Sequence, residues 1–119
     1  MRAFAERNLA LKNFTHTFSV TEIDTKKFID PEKRQAIYLI FKEAITNIVK
    51  HSRGNHVLIS LYMDKTGLHL LVKDNGEAHA QMNSDGLGIS NMTMRAEKIG
   101  GQLSISREDG YEIGLAVPV

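Results

Sequence analysis

The chain contains no cysteine, which excludes a disulfide frame, thiolate chemistry and a zinc–sulfur site. It also lacks any apolar run near the roughly 20 residues that cross a bilayer. Charge of one sign is nearly balanced: 15 basic against 14 acidic residues leave a net +1. There is thus no electrostatic reason to expect nucleic acid or an anionic membrane as the main partner. Proline is scarce, with two residues in 119. The opening MRAFAERNLALKN is too charged and interrupted for a secretory signal, and no internal repeat or low-complexity tract is present. What remains, 42% hydrophobic and 24% charged, is ordinary for one soluble domain with a single core. A cytoplasmic location is the default expectation.

The stretch from Pro31 to Ser52, PEKRQAIYLIFKEAITNIVKHS, organises the rest. Ile37, Ile40, Phe41, Ala44, Ile45 and Ile48 recur at helical spacing and predict one core-facing stripe. Asp30 can cap the amino end, and Pro31 suits the first helical position. At about 100° per residue, Glu43, Asn47, Lys50 and His51 fall on a second stripe bordering the apolar one. A solvated face is expected on the far side, at Gln35, Lys42 and Thr46. A carboxylate, an amide, an ammonium and an imidazole at the rim of a core form one wall of a site.

Around this helix the chain alternates elements. Arg2 to Leu11 reads as a short helix or the tail of a longer one. Phe14 to Val20 alternates apolar and polar residues, a strand signature. After the central helix, Gly54 suits a left-handed cap. Val57, Ile59, Leu61 and Met63 mark a second strand, Asp64-Lys65-Thr66-Gly67 a hairpin turn, and Leu68, Leu70 and Val72 a third strand. Asp74 shares the parity of Val72, so its carboxylate is expected on the helix-covered side. A polar loop from Gly76 to Asp85 follows, and Gly86-Leu87-Gly88 opens a helix that Gly100-Gly101 ends. Leu103 and Ile105 belong to a fourth strand. Tyr111, Ile113, Leu115, Val117 and Val119 alternate along a fifth, where Pro118 fits only near an end or an edge. The predicted architecture is an α/β two-layer sandwich: a mixed, largely antiparallel five-stranded sheet with helices on one face.

Three stretches can carry chemistry. On the central helix, Asn47 and Glu43 offer oxygen ligands suited to Mg²⁺, Lys50 can neutralise phosphate, and Glu43 can position or deprotonate a reacting group. The same spacing also reads as ordinary i,i+4 surface pairs. Asp74-Asn75-Gly76 can accept a hydrogen bond from an exocyclic amine such as adenine's, or be a simple turn. Gly86-Leu87-Gly88 can free N–H groups for phosphate at a helix amino terminus. It lacks the third glycine of a dinucleotide fold, and no GxxxxGK[ST] loop is present.

Taken together and in this order, the stretches resemble the ATP-binding catalytic domain of bacterial sensor histidine kinases, within the Bergerat-fold superfamily. FKEAITNIVKHS is similar to that family's N box, VKDNG to its first glycine box, and DGLGISNMTMRAEKIGG to its second. The short loop between the boxes and the tail GLAVPV resemble the short-lid subfamily. The resemblance implies residues 1–12 as the end of an upstream helix or linker and 13–119 as the catalytic domain. It implies ATP and Mg²⁺ as cofactors, with Asn47 ligating the metal and Asp74 reading the adenine amine. Glu43 becomes the N-box acid, Lys50 and His51 lie near the phosphates, and Gly76, Gly86, Leu87 and Gly88 allow close approach and lid movement. The chain departs from the family pattern at Ala78, where a second glycine is usual. It departs again at Gly110-Tyr111, where a threonine hydroxyl near the adenine is missing.

A kinase of this kind phosphorylates a helical histidine, usually followed by an acidic residue. None of His16, His51, His56, His69 or His79 is so followed. His16 and His69 are expected at outward or edge strand positions, and His51 in the site wall. The resemblance therefore implies that the acceptor lies on a separate dimerisation domain and that the chain alone does not autophosphorylate. The chain is expected to be a monomer, and the intact kinase a homodimer, membrane-anchored or not, that signals through a response regulator. An anti-sigma-type serine kinase and a non-catalytic nucleotide-sensing module are the alternatives.

Overall fold

The computed structural model describes residues 1–21, 30–51, 54–76, 88–106 and 110–118. The elements run α1 (Arg2–Ala10), β1 (Thr15–Thr21), α2 (Pro31–His51), β2 (His56–Asp64), β3 (Gly67–Asp74), α3 (Ile89–Lys98), β4 (Gln102–Ser106) and β5 (Glu112–Val117). The sheet order is β1-β2-β3-β5-β4. β1 and β2 are parallel, with α2 as the crossover that parallel strands require, and the other pairs are antiparallel. The two-layer, mixed five-stranded architecture read from the sequence is the one observed.

α2 begins as its residues dictate. The Asp30 carboxylate accepts a hydrogen bond from the Glu32 N–H at 2.9 Å, satisfying a donor that has no intrahelical partner. Its apolar stripe is fully buried, Ile37 through Ile48, against Val57, Ile59, Leu70, Val72, Ile113 and Leu115 of the sheet and Met92 and Ala96 of α3. α1 joins the same core through Ala5 and Leu9. This contact corrects the reading of the far side of α2. Gln35 is exposed, but Lys42 lies over the rings of Phe4 and Tyr38, 5.2 and 5.5 Å from their centroids, because Phe4 of α1 reaches across and meets Tyr38 and Phe41 edge-on. Thr46 is half-buried rather than solvated.

Two further local expectations change. Gly54 does not adopt a left-handed cap, since it is not among the residues with positive φ. Its need is close approach: a β-carbon there would collide with the Asn75 side-chain oxygen and lie 2.6 Å from the Gly76 nitrogen. His16 does lie on an edge strand, but its register opposite Val57 gives it the parity of the helix-covered face. His69 faces outward as expected, stacked on Tyr62 with ring centroids 4.7 Å apart. No helix among the described residues is long and apolar enough to cross a membrane.

Candidate functional site

From Leu68 onward β3 alternates buried and half-buried residues, and that alternation carries Asp74 inward to 2% exposure. A carboxylate so placed must be compensated. Its Oδ1 is: it accepts from the Gly76 N–H at 2.9 Å and the Tyr111 N–H at 3.1 Å. Its Oδ2 is buried and has no hydrogen-bond partner among the described residues. Gly110, at φ 95°, packs directly against this carboxylate, and a β-carbon there would also lie 2.8 Å from the Gly76 carbonyl oxygen. Asn75, between the two site residues, takes no part. Its side-chain oxygen accepts from the N–H groups of Asn55 and His56 at 2.9 and 3.0 Å, fastening the end of β3 to the start of β2.

Across from Asp74 runs the polar stripe of α2. Glu43 is half-buried, Asn47 buried at 3% exposure and Lys50 exposed, so the stripe is deepest at Asn47 and opens to solvent at Lys50. Gly88 takes the left-handed conformation at the amino end of α3, with φ 65° and ψ 22°, and the Glu43 carboxylate packs where its β-carbon would be. The structure thus brings the amino terminus of α3 to the acid of α2. Gly86 and Leu87 lie outside the described residues, as do the side chain of His51 and Ala78.

Tyr111 ties the two sides together. Its backbone carbonyl accepts from the Asp74 N–H at 3.0 Å, and its hydroxyl accepts from Asn47 Nδ2 at 2.9 Å. The sequence reading placed Tyr111 on the alternation of the fifth strand and noted the threonine it replaces, but gave its hydroxyl no role. That parity, shared with Ile113 and Leu115, turns a long polar-tipped side chain toward α2.

The residues present suit a nucleotide. A buried, unpartnered carboxylate oxygen accepts an exocyclic amine, and a base that supplies one removes the cost of leaving it unpaired. No cluster of three or more His, Asp or Glu side chains able to hold a metal occurs among the described residues. An amide such as Asn47, one helical turn from the Glu43 acid, fits Mg²⁺, which takes one or two protein ligands and completes its shell with water and phosphate.

Residues 10–117 match the family model of a histidine kinase-like ATPase domain. The sensor histidine kinase YxjM of Bacillus subtilis is 34% identical over 91 residues, covering 75% of this chain and 22% of YxjM. Among solved structures, the blue-light activated histidine kinase of Erythrobacter litoralis superposes with a TM-score of 0.73 at 16% identity, covering 98% of this chain and 40% of that one. The catalytic domain of histidine kinase ThkA gives 0.70 at 15% identity, covering 98% and 90%. These two likenesses speak for the fold. The chain spans less than a third of the length of the curated relatives it matches.

Proposed function

The chain belongs to the histidine kinase-like ATPase domain family, and from that premise we propose that it binds Mg²⁺-ATP and donates the γ-phosphoryl group to a histidine on a dimerisation domain outside this chain. The observation that carries the reading is the Asp74 carboxylate, fixed through Oδ1 by two N–H donors while Oδ2 is buried without a partner among the described residues. In this reading Oδ2 accepts from the adenine amine, and the approach of Gly110 to Asp74 keeps the carboxylate from turning away.

Asn47 would hold Mg²⁺, which when bound spreads the charge of the phosphates. Glu43 orients the reacting groups from its place against Gly88. Lys50, exposed at the outer end of the stripe, and His51 supply positive charge or hydrogen bonds to the phosphates. Gly86, Leu87 and Gly88, leading into α3, would offer N–H groups to the phosphates. Phosphoryl transfer mostly asks for positioning and charge neutralisation, which these side chains provide. Residues 13–119 are the catalytic domain in this reading, and residues 1–12 end an upstream helix. The chain itself is monomeric, and a response regulator is reached only through the intact homodimeric kinase.

Calorimetric titration of the chain with a non-hydrolysable ATP analogue, with and without Mg²⁺, tests the proposal alongside Asp74→Asn. Magnesium-assisted binding that the substitution weakens on the order of a hundredfold is the expected result. Affinity unchanged by Asp74→Asn, or no binding at millimolar nucleotide, would overturn it.

A further inference from the structure

Between α2 and α3, on the solvent side of Glu43, lies a recess of about 250 Å³. It is lined by Leu39, Lys42 and Glu43 of α2 and by Asn91, Met92 and Arg95 of α3. Leu39 and Glu43 are one turn apart, as are Asn91 and Arg95, so each helix turns one stripe to the recess. Pockets that enclose small molecules run to about 300–1,000 Å³. This smaller space suits side chains of a docked segment.

The charges around it are not spent within the protein. The one ion pair among the described residues joins Asp64 and His69, so Glu43 and Arg95 border the same recess without pairing across it. Lys42 is drawn to the other flank, where its ammonium lies over the rings of Phe4 and Tyr38. Arg95 is exposed and is left as the recess's cation. The cleft continues between the same helices into a second recess of about 340 Å³. There Leu39, Ala36 and Met94 are apolar, Lys98 joins Arg95 on the α3 edge, and Glu32 lies on α2. Met94 is 53% exposed. An apolar strip with a basic edge is complementary to an amphipathic helix edged with carboxylates.

We propose that Arg95 is a specificity residue for the phosphoryl acceptor, pairing with a carboxylate of the acceptor-bearing helix when that helix enters the α2–α3 cleft beside Glu43. The inference rests on the nucleotide reading above and adds to it how the acceptor is chosen. In that reading the phosphates lie by Gly88 and Glu43, so an acceptor arriving from solvent comes in beside this recess. Arg95 stands two turns along α3 from Gly88, about 10 Å by helical rise. That spacing suits a residue flanking the acceptor. A guanidinium takes a carboxylate in a bidentate fork, and such pairs set partner choice and register.

The test is Arg95→Glu in the intact kinase, with thermal denaturation to establish that the variant is folded. Transfer from ATP to the acceptor histidine should slow at least about tenfold. Affinity of the isolated chain for a non-hydrolysable ATP analogue should not change. A second arm exchanges the charges. Each Asp or Glu of the acceptor helix is replaced in turn by Lys on the Arg95→Glu background, and one replacement should restore transfer.

Unchanged transfer in Arg95→Glu overturns the specificity role. So does a loss that no exchange restores, since the guanidinium would then have no carboxylate partner. Analogue affinity that falls together with transfer also overturns it, because Arg95 would then serve the phosphates. Absence of analogue binding by the unsubstituted chain overturns the nucleotide reading itself, a result distinct from the others.

Discussion

Asp64 and Asp74 stand at opposite ends of the β2–β3 hairpin, and the contrast between them separates architecture from chemistry. Both carboxylates accept backbone N–H groups. Asp64 closes the turn: one oxygen accepts from the N–H groups of Thr66 and Gly67 at 2.8 and 3.2 Å and meets His69 Nε2 at 3.1 Å. It is 46% exposed, so water can reach what the protein leaves unpaired. Asp74 is held as firmly but at 2% exposure, with a buried oxygen that has no partner among the described residues. A saturated carboxylate in water is explained by the turn it makes. A buried one with capacity to spare calls for a ligand.

The sharpest way to break that contrast is to exchange the acids for amides. Asp74→Asn keeps an acceptor for Gly76 and Tyr111 but turns a donor toward the base. Affinity for the ATP analogue should drop on the order of a hundredfold, or about 2.7 kcal/mol, by calorimetry. Asp64→Asn should leave that affinity untouched, and an equal loss at both positions would erase the distinction. Gly110→Ala comes next. The residue sits at φ 95° with Asp74 where its β-carbon would go, so a denaturant melt should show about 1–3 kcal/mol of lost stability together with weakened nucleotide binding.

Asn75→Ala probes the fastening beside the site, not the site itself. It removes the acceptor of two backbone N–H groups, and about 1 kcal/mol of stability should go with it. Nucleotide affinity should change far less than for Asp74→Asn. The smallest effect is one of pH. The Asp64 carboxyl is held down at about 2 from 3.8, chiefly by the Thr66 hydroxyl and then the Thr66 N–H. A depressed folded-state value means that the stabilisation is complete above pH about 4 and is lost as pH falls through about 2. Melts of wild type and Asp64→Asn should therefore converge across that interval. A gap that stays constant would show that the turn does not depend on the ionised acid.

Much of the fold was legible because its signals are local. The stripe from Ile37 to Ile48 and the parity of Leu68, Leu70, Val72 and Asp74 each follow from the period of one element, and burial honours them. The candidate site was legible for the same reason at Glu43, Asn47 and Asp74. Lys42 was misjudged because the period of α2 carries no information about α1, whose Phe4 ring covers that flank. Gly54 was misjudged because a glycine after a helix signals a cap, whereas here distant Asn75 and Gly76 crowd it. Tyr111 was seen as a missing hydroxyl, since 64 residues separate it from the amide it meets.

By itself, the sequence determined which residues face inward, where helices begin and which side chains could serve a nucleotide, because periodicity and capping act over a few residues. Only the tertiary structure decided that Asp74 has one satisfied oxygen and one without a partner among the described residues, that Gly88 packs on Glu43, and that Tyr111 joins Asp74 to Asn47. Those facts are set by β5 pairing with β3 and by α2 crossing the sheet. Hydrogen bonds between such distant segments depend on ångström-scale placement that no pattern of residue types encodes.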